Sequence, residues 1–429
     1  MPYRAAIVVL ALSAVCLPAA AQDAWSWMYR AELRADYRWS DDERHSVGFP
    51  PGAFMSTPDP GSHVELNVAD VQFDAGYGDL FAMRAKVHVQ GLHRRNPTST
   101  DRQVDADELY VRIGPRPEFL ERPDGTTFFL QAGKFPKMER QPLRLLESYG
   151  LAANSFNRFE DVQVLVGGTV GRNFYWRVQA ANGNPLFFRD SNALAGDNGT
   201  PKGIVGGVSD FGTGFPILYN AETEDLFFNT EHVQMGEALG YRWQREDQTA
   251  GFDAIVFYYQ REMADTEKLT GTGYGAELDL LVLEPGEVGN AIPRPIGLTL
   301  DGRDKIEYGA RIFAEWHAAT VIAQYTQQSF AGNERFGWEI EAGYRIPVAL
   351  GPIESIQPAV RASSLRNDFP AAPPFPSPSI WWDWDKVDGG VRIGLKRGID
   401  VTVEYTQHHV DSRTPLKLRE VLGTVRWRI

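Results

Sequence analysis

The segment WSWMYRAELRADYRWS, residues 25 to 40, constrains the fold more than any other part of the chain. Taken every second residue it reads Trp25, Trp27, Tyr29, Ala31, Leu33, Ala35, Tyr37, Trp39, apolar throughout with aromatics at both ends. The interleaved Arg30, Glu32, Arg34, Asp36 and Arg38 are all charged. Side chains on a strand alternate between faces, so this ribbon has one apolar and one ionic face. Aromatic clusters about a bilayer's thickness apart on the apolar face are the layout of a transmembrane barrel strand, with lipid outside and a polar lumen inside.

What precedes this strand indicates export. Residues 1 to 22 carry Arg4, then the apolar run AAIVVLALSAVCL, then the small residues PAAAQ, the order of parts in a secretory signal peptide. The run is too short to span a membrane as a helix. Cys16 is the only cysteine, and Val15 and Ser13 upstream of it do not fit a lipoprotein signal. Residues 23 to 429 are then expected to form one domain without disulfides, held by hydrogen bonds and burial. No apolar run of helix-spanning length follows, and mean hydropathy is negative, which excludes a helical membrane protein but suits a barrel that averages its lipid face against a wet interior.

The two-faced pattern recurs at 81–89, 108–113, 174–180, 307–316, 338–345 and 400–405, with blurrier strands between. Tight joints near 76–79, 171–173, 245–248, 317–318, 350–352 and 397–398 alternate with longer ones near 40–62, 136–159, 183–228, 263–302 and 367–386. Outer-membrane barrels have short periplasmic turns and long outer loops. Counting from a periplasmic N-terminus returns the C-terminus to the periplasm after about sixteen strands, a closed antiparallel up-and-down barrel. Residues 271 to 302 are open to two readings: a folded outer loop, or a hairpin turning at Asp301-Gly302 that makes about eighteen. Helical pattern is nearly absent, and only residues 142 to 154 are expected to form a short helix. The final LREVLGTVRWRI is again two-faced and suits the closing strand that barrel assembly machinery recognises, although it ends in Ile429 where that signal usually has Phe.

A barrel of this size leaves an aqueous channel unless its loops plug it. Pore-lining candidates are Arg30, Arg34, Arg84, Arg112, Arg177, Arg392, Glu339 and Glu341, since rings of charge set pore selectivity. The plainer reading is that any wet interior carries charges paired between neighbouring strands.

The segment GKFPKMERQPLRLLESYGLAANSFNRFEDVQVLVGG, continuing GRNFYWRVQAANGNP, is more specific. Gly133, Lys134, Phe135, Pro136, Glu139, Arg140, Arg158, Asp161, Val164, Tyr175, Asn182 and Gly183 make it resemble the phosphate-selective porin O and P family, over residues 131 to 185. The resemblance implies an inward-folded loop that narrows the pore, with Lys134, Arg140, Arg144 and Arg158 as lining cations. In that family anion preference rests on clustered lysines and arginines, whereas this chain is acidic, with 56 Asp and Glu against 43 Lys and Arg.

That acidic balance disfavours nucleic acid as a partner. No serine-hydrolase, P-loop or zinc-protease motif is present, no metal or cofactor is expected, and the chain is not read as an enzyme. The leading expectation is a passive outer-membrane channel for small polar or anionic solutes. An oligosaccharide or polysaccharide channel is the alternative, with Tyr110, Tyr175, Phe257 and Tyr259 as stacking surfaces. A barrel lipase, with its base at His232 or His317, is the remote one. Monomer and homotrimer are both open.

Overall fold

The computed structural model describes residues 25–41, 44–46, 54–56, 61–90, 104–116, 120–121, 123, 125–141, 143–157, 160–183, 187–188, 218–219, 233–263, 301–368, 383–411 and 415–429. The expected signal peptide and residues 271–300 lie outside them. The apolar and charged alternation forms sixteen strands. These are β1 (Trp25–Ser40), β2 (Gly61–Tyr77), β3 (Phe81–Gln90), β4 (Val104–Ile113), β5 (Thr127–Pro136), β6 (Glu160–Val170), β7 (Phe174–Ala181) and β8 (Gln234–Gln244). The second half comprises β9 (Ala250–Glu262), β10 (Asp304–Trp316), β11 (Ala319–Phe330), β12, β13 (Ile353–Asp368), β14 (Asp383–Leu395), β15 (Ile399–Asp411) and β16 (Leu416–Arg428). β12 runs as two pieces, Asn333–Tyr344 and Ile346–Leu350, both paired with β13.

Each strand pairs antiparallel with its neighbours in sequence, and β1 closes the ring on β16 from Glu32↔Arg428 to Ser40↔Glu420. From Ala31 onward β1 is paired on both sides, so the closed sheet has no free edge there. The ring is complete at sixteen, so the eighteen-strand reading does not hold among the described residues. Asp301 and Gly302 form no hairpin turn of the barrel; the Asp301 N–H donates to the Ala331 carbonyl at 2.6 Å, just ahead of β10.

Six connections of two to five residues share one end of the barrel with the start of β1 and the end of β16, as the spacing predicts. Three connections depart from it, one of them the four residues between β15 and β16 at the long-loop end. Residues 331–332, at the long-loop end, make a two-residue turn with φ of 47° at Ala331 and 87° at Gly332. Residues 114–126, at the short-turn end, are far longer than the other connections there.

Outward-facing side chains are apolar and exposed, with Tyr29 at 73%, Leu239 at 66% and Val360 at 61%. Aromatics gird the short-turn end: Trp25 stacks on Trp27 at 5.4 Å, Phe174 meets Tyr241 at 4.8 Å and Trp243 meets Phe252 at 6.2 Å. This is the lipid-facing pattern of a barrel. Inward, Arg34, Asp36 and Arg38 are buried as the alternation requires. Arg30 is not among the pore residues. β16 ends opposite Glu32 and the Ile429 N–H reaches the Ala31 carbonyl, so residues before Ala31 pair only with β2 and Arg30 stands exposed at the rim.

Gly133 on β5 has φ of 135°, and a Cβ there would lie 2.1 Å from the Leu109 carbonyl oxygen of β4. Gly133→Ala is expected to destabilise the barrel by about 1–3 kcal/mol, read as a lower urea midpoint by tryptophan fluorescence; an unchanged midpoint would contradict this packing.

Candidate functional site

The connection after β5 folds into the lumen, and charges on the barrel wall hold its backbone there. Glu341 on β12 accepts the N–H groups of Leu145 (2.6 Å) and Leu146 (2.7 Å) on one carboxylate oxygen. Glu404 on β15 accepts those of Glu147 and Ser148, the latter at 3.1 Å. Glu339 accepts the Ala153 N–H at 2.9 Å and the Gln141 side-chain amide at 3.0 Å. Wall cations take the carbonyls: Arg361 reaches Ser148 O at 2.9 Å, Arg335 Ser155 O at 2.9 Å, Arg177 Met138 O at 2.7 Å and Arg311 Arg140 O at 3.0 Å. Lys386 donates to Tyr149 O. Buried backbone groups must find partners, and charge-assisted bonds are the strong ones.

This corrects the helix expected over 142 to 154. Residues 145 to 148 give their N–H groups to wall carboxylates rather than to carbonyls one turn back, and helix is confined to a short stretch ending in the π-helical turn Ala153–Asn157. It also corrects the part expected of Glu339 and Glu341: both are 1% exposed and lie beneath the loop, not on an open pore wall.

Glu147 locks the far side of the loop. Its carboxylate lies 2.7 Å from Arg392, 3.0 Å from Arg426 and 3.9 Å from Arg34. Burial pushes its pKa up, but Arg426, Arg392, Arg34 and Arg144 together bring it below the ordinary glutamate value. At the loop's start, Lys137 sits between Glu139 (3.2 Å) and Glu307, with its ammonium 4.5 Å from the centre of the Tyr259 ring. Burial there favours the neutral amine, yet the two carboxylates hold the Lys137 pKa above the ordinary lysine value.

Two apolar clusters fill the lumen on one side. One joins Phe135 and Met138 to Phe129, Tyr175, Phe257 and Tyr259; the other joins Leu145 and Leu146 to Phe313, Ile322 and Ala359. Between the loop and the wall of β3 to β5 lies a cavity of about 430 Å³. Arg84, Arg112, Arg116, Lys137, Arg140, Arg144, Arg177 and Arg311 line it, with Glu108 and Asp253 as the acids among the described residues. Both acids are committed: Glu108 lies 3.3 Å from Arg84, and Asp253 pairs with Arg311 and accepts from Tyr175 at 2.9 Å. Arg112 Nε and Arg144 Nη1 have no hydrogen-bond partner among the described residues, and the Arg144 guanidinium lies 3.6 Å over the Tyr149 ring.

Of the residues singled out in the sequence, Arg84, Arg112, Arg140, Arg144 and Arg177 line this cavity together. Arg140 also pairs with Glu160. Lys134 does not line it; it is buried in the wall 3.7 Å from Asp105. Arg34 and Arg392 serve the Glu147 lock, and Arg158 and His232 lie outside the described residues. Sequence reasoning missed Lys137 and Arg116. Lys137 stands three residues past Lys134 in the same motif, but Arg116 lies in a connection where no strand alternation marks an inward position.

No protein-family model matches the chain, and no curated protein matches it. Among solved structures it is similar to the outer membrane channel DcaP of Acinetobacter baumannii, with a TM-score of 0.53 and 10% identity over 94% of this chain and 97% of that one. It is also similar to Salmonella typhi OmpF in complex with daunomycin, with a TM-score of 0.51 and 8% identity over 94% and 97%. Pseudomonas putida OprB matches with a TM-score of 0.50 and 9% identity over 94% of each chain. At these identities the likeness speaks for the fold, a closed porin-type barrel.

The lowered pKa of Glu147 sets the pH window of the lock. A carboxylate with a depressed folded pKa stabilises the docked loop above its undocked pKa, and this is lost as pH falls through the lower folded value. Hydrogen exchange at residues 145 to 148, corrected for intrinsic rates, is expected to stay slow from neutral pH down to the ordinary glutamate range and to quicken below it. Glu147→Leu removes the carboxylate that Arg34, Arg392 and Arg426 share, leaving Arg426 with Asp400 and Arg34 with Asp36 on the wall alone, and is expected to weaken docking by about 3 kcal/mol, seen as tryptic cleavage after Arg144. Equal resistance to trypsin in both proteins would remove Glu147 from this role.

Proposed function

We propose that the chain is a porin-type channel of the bacterial outer membrane through which small anions diffuse passively. One observation carries the reading: eight cationic side chains against two ion-paired acids around the space the inward loop leaves open. A guanidinium is weakly hydrated and offers planar donors, so a passing oxyanion can exchange water for arginine and move on to the next arginine. The exposed apolar belt and aromatic girdle support a place in a bilayer, and the barrel form supports an outer-membrane location. The resemblance over residues 131 to 185 supports relationship to the phosphate-selective porin O and P family, with arginine in place of much of that family's lysine. The channel for sugars has less support, because Tyr175, Phe257 and Tyr259 are packed in an apolar cluster and only Tyr110 of the four faces the cavity.

Planar-bilayer recordings with a salt gradient test the proposal. Steady conductance with a reversal potential favouring anions is expected. Arg112→Gln combined with Arg144→Gln is expected to lower the anion-to-cation permeability ratio about three-fold or more, as rings of charge set selectivity. Absence of conductance would overturn the channel, and cation preference would overturn the anion reading.

A further inference from the structure

The connection between β4 and β5 does not make a turn between those two strands alone. It leaves the wall at Gly114, whose N–H donates to the Leu80 carbonyl at 2.8 Å. Arg116 then points into the lumen, where Nη1 donates to Gln131 Oε1 at 2.8 Å and the guanidinium lies 5.6 Å from the centre of the Phe129 ring. Farther along, the Glu121 carbonyl accepts from Arg242 Nη1 of β8 at 2.9 Å. Leu120 packs against the cluster of Leu145, Leu146, Phe313, Ile322 and Ala359. Gly251 of β9 is close enough that a Cβ there would stand 3.2 Å from Leu120 Cδ1.

These contacts trace a chord. A segment rooted between β4 and β5 reaches β8 and β9 across the short-turn mouth and packs on the cluster that Phe313, Ile322 and Ala359 build with the inward loop, whereas the other connections at that end join adjacent strands in two to five residues. A leucine projected alone into a wet lumen would gain no burial. Leu120 gains it by packing on the cluster to which Leu145 and Leu146 contribute from the opposite mouth, so elements from the two ends of the barrel share one apolar cluster.

We propose that residues Arg116, Leu120 and Glu121 form a second constriction element that, with the inward loop, sets the size limit of the channel. Leu120 closes the part of the lumen beneath the loop. Arg116 supplies the short-turn side of the cationic cavity, so a solute passes between it and the loop's Arg140 and Arg144. The Arg242 bond to Glu121 pins the element to the wall on the side opposite its root. This inference rests on the channel reading, and the experiment separates the two.

The only cysteine of the chain is Cys16, within the expected signal peptide, so the matured protein offers a clean background for a cysteine pair. In the purified barrel, Leu120→Cys with Gly251→Cys, whose Cβ would lie beside Leu120, is expected to join through a short bis-thiol reagent, whereas Leu120→Cys with an exposed wall control, Val360→Cys, is not. Leu120→Gly is expected to raise single-channel conductance about 1.5- to 2-fold, as open cross-section grows, and to admit larger solutes in liposome swelling. Failure of the Leu120 pair to join, or unchanged conductance and size limit in a folded Leu120→Gly barrel, overturns the proposal. A Leu120 pair that joins, with a parent protein that does not conduct, overturns the channel reading alone; Leu120→Gly must then open conductance for the constriction to stand.

Discussion

Three buried carboxylates facing backbone N–H groups are the constraint from which the rest of the lumen follows. Glu339, Glu341 and Glu404 project inward from β12 and β15 and would be costly to bury without partners. The loop backbone supplies those partners, and its own N–H groups, which lack a helix or ladder, are satisfied in return. Arg361 couples both halves of this exchange, holding Ser148 O at 2.9 Å while lying 2.9 Å from Asp388 and 3.5 Å from Glu341. Once the loop is fixed at that depth, Leu145 and Leu146 must be buried, and Phe313, Ile322 and Ala359 are the apolar wall that receives them. The apolar plug inside a polar barrel is therefore a consequence of the carboxylate docking.

The fold was legible because its rule is local. Alternation along WSWMYRAELRADYRWS or NERFGWEIEAGY assigns faces without knowledge of any partner strand, and short joints such as His317-Ala318 interrupt the pattern visibly. The lumen was legible only as a set of inward positions. Whether an inward charge meets water, a neighbour or a loop depends on contacts between residues far apart in sequence. Glu341 and Leu145 are 196 residues apart, and nothing in either segment announces the bond between them. Arg30 was misplaced for a different reason. Its own strand has the right period, but the rim is set by where β16 ends, which is information from the other end of the chain.

The connection at residues 114–126 shows the limit most clearly. Its length separates it from the other short-turn connections, but its inward course depends on Arg242 of β8 and on the second apolar cluster, and neither is local to it. Irregular segments declare what they are not; what they become is decided by the surface that satisfies their backbone and side chains.

Net charge, finally, is a poor guide to what a lumen selects. The chain carries a formal charge of −13, yet the space left open is lined by eight cations and two acids. The difference is explained by where the acids are committed. Glu339, Glu341 and Glu404 are covered by loop backbone, Glu147 by three arginines, Asp388 by Arg361 and Lys386, and Glu307 by Lys137. A carboxylate that is buried and fully paired projects little field into the channel, while a guanidinium whose nitrogen lacks a protein partner projects most of its own. Folding the loop inward thus leaves cations in excess around the open space, with Arg112, Arg144, Arg116 and Arg177 facing it beside the paired Arg84, Lys137, Arg140 and Arg311, and no change in composition is needed.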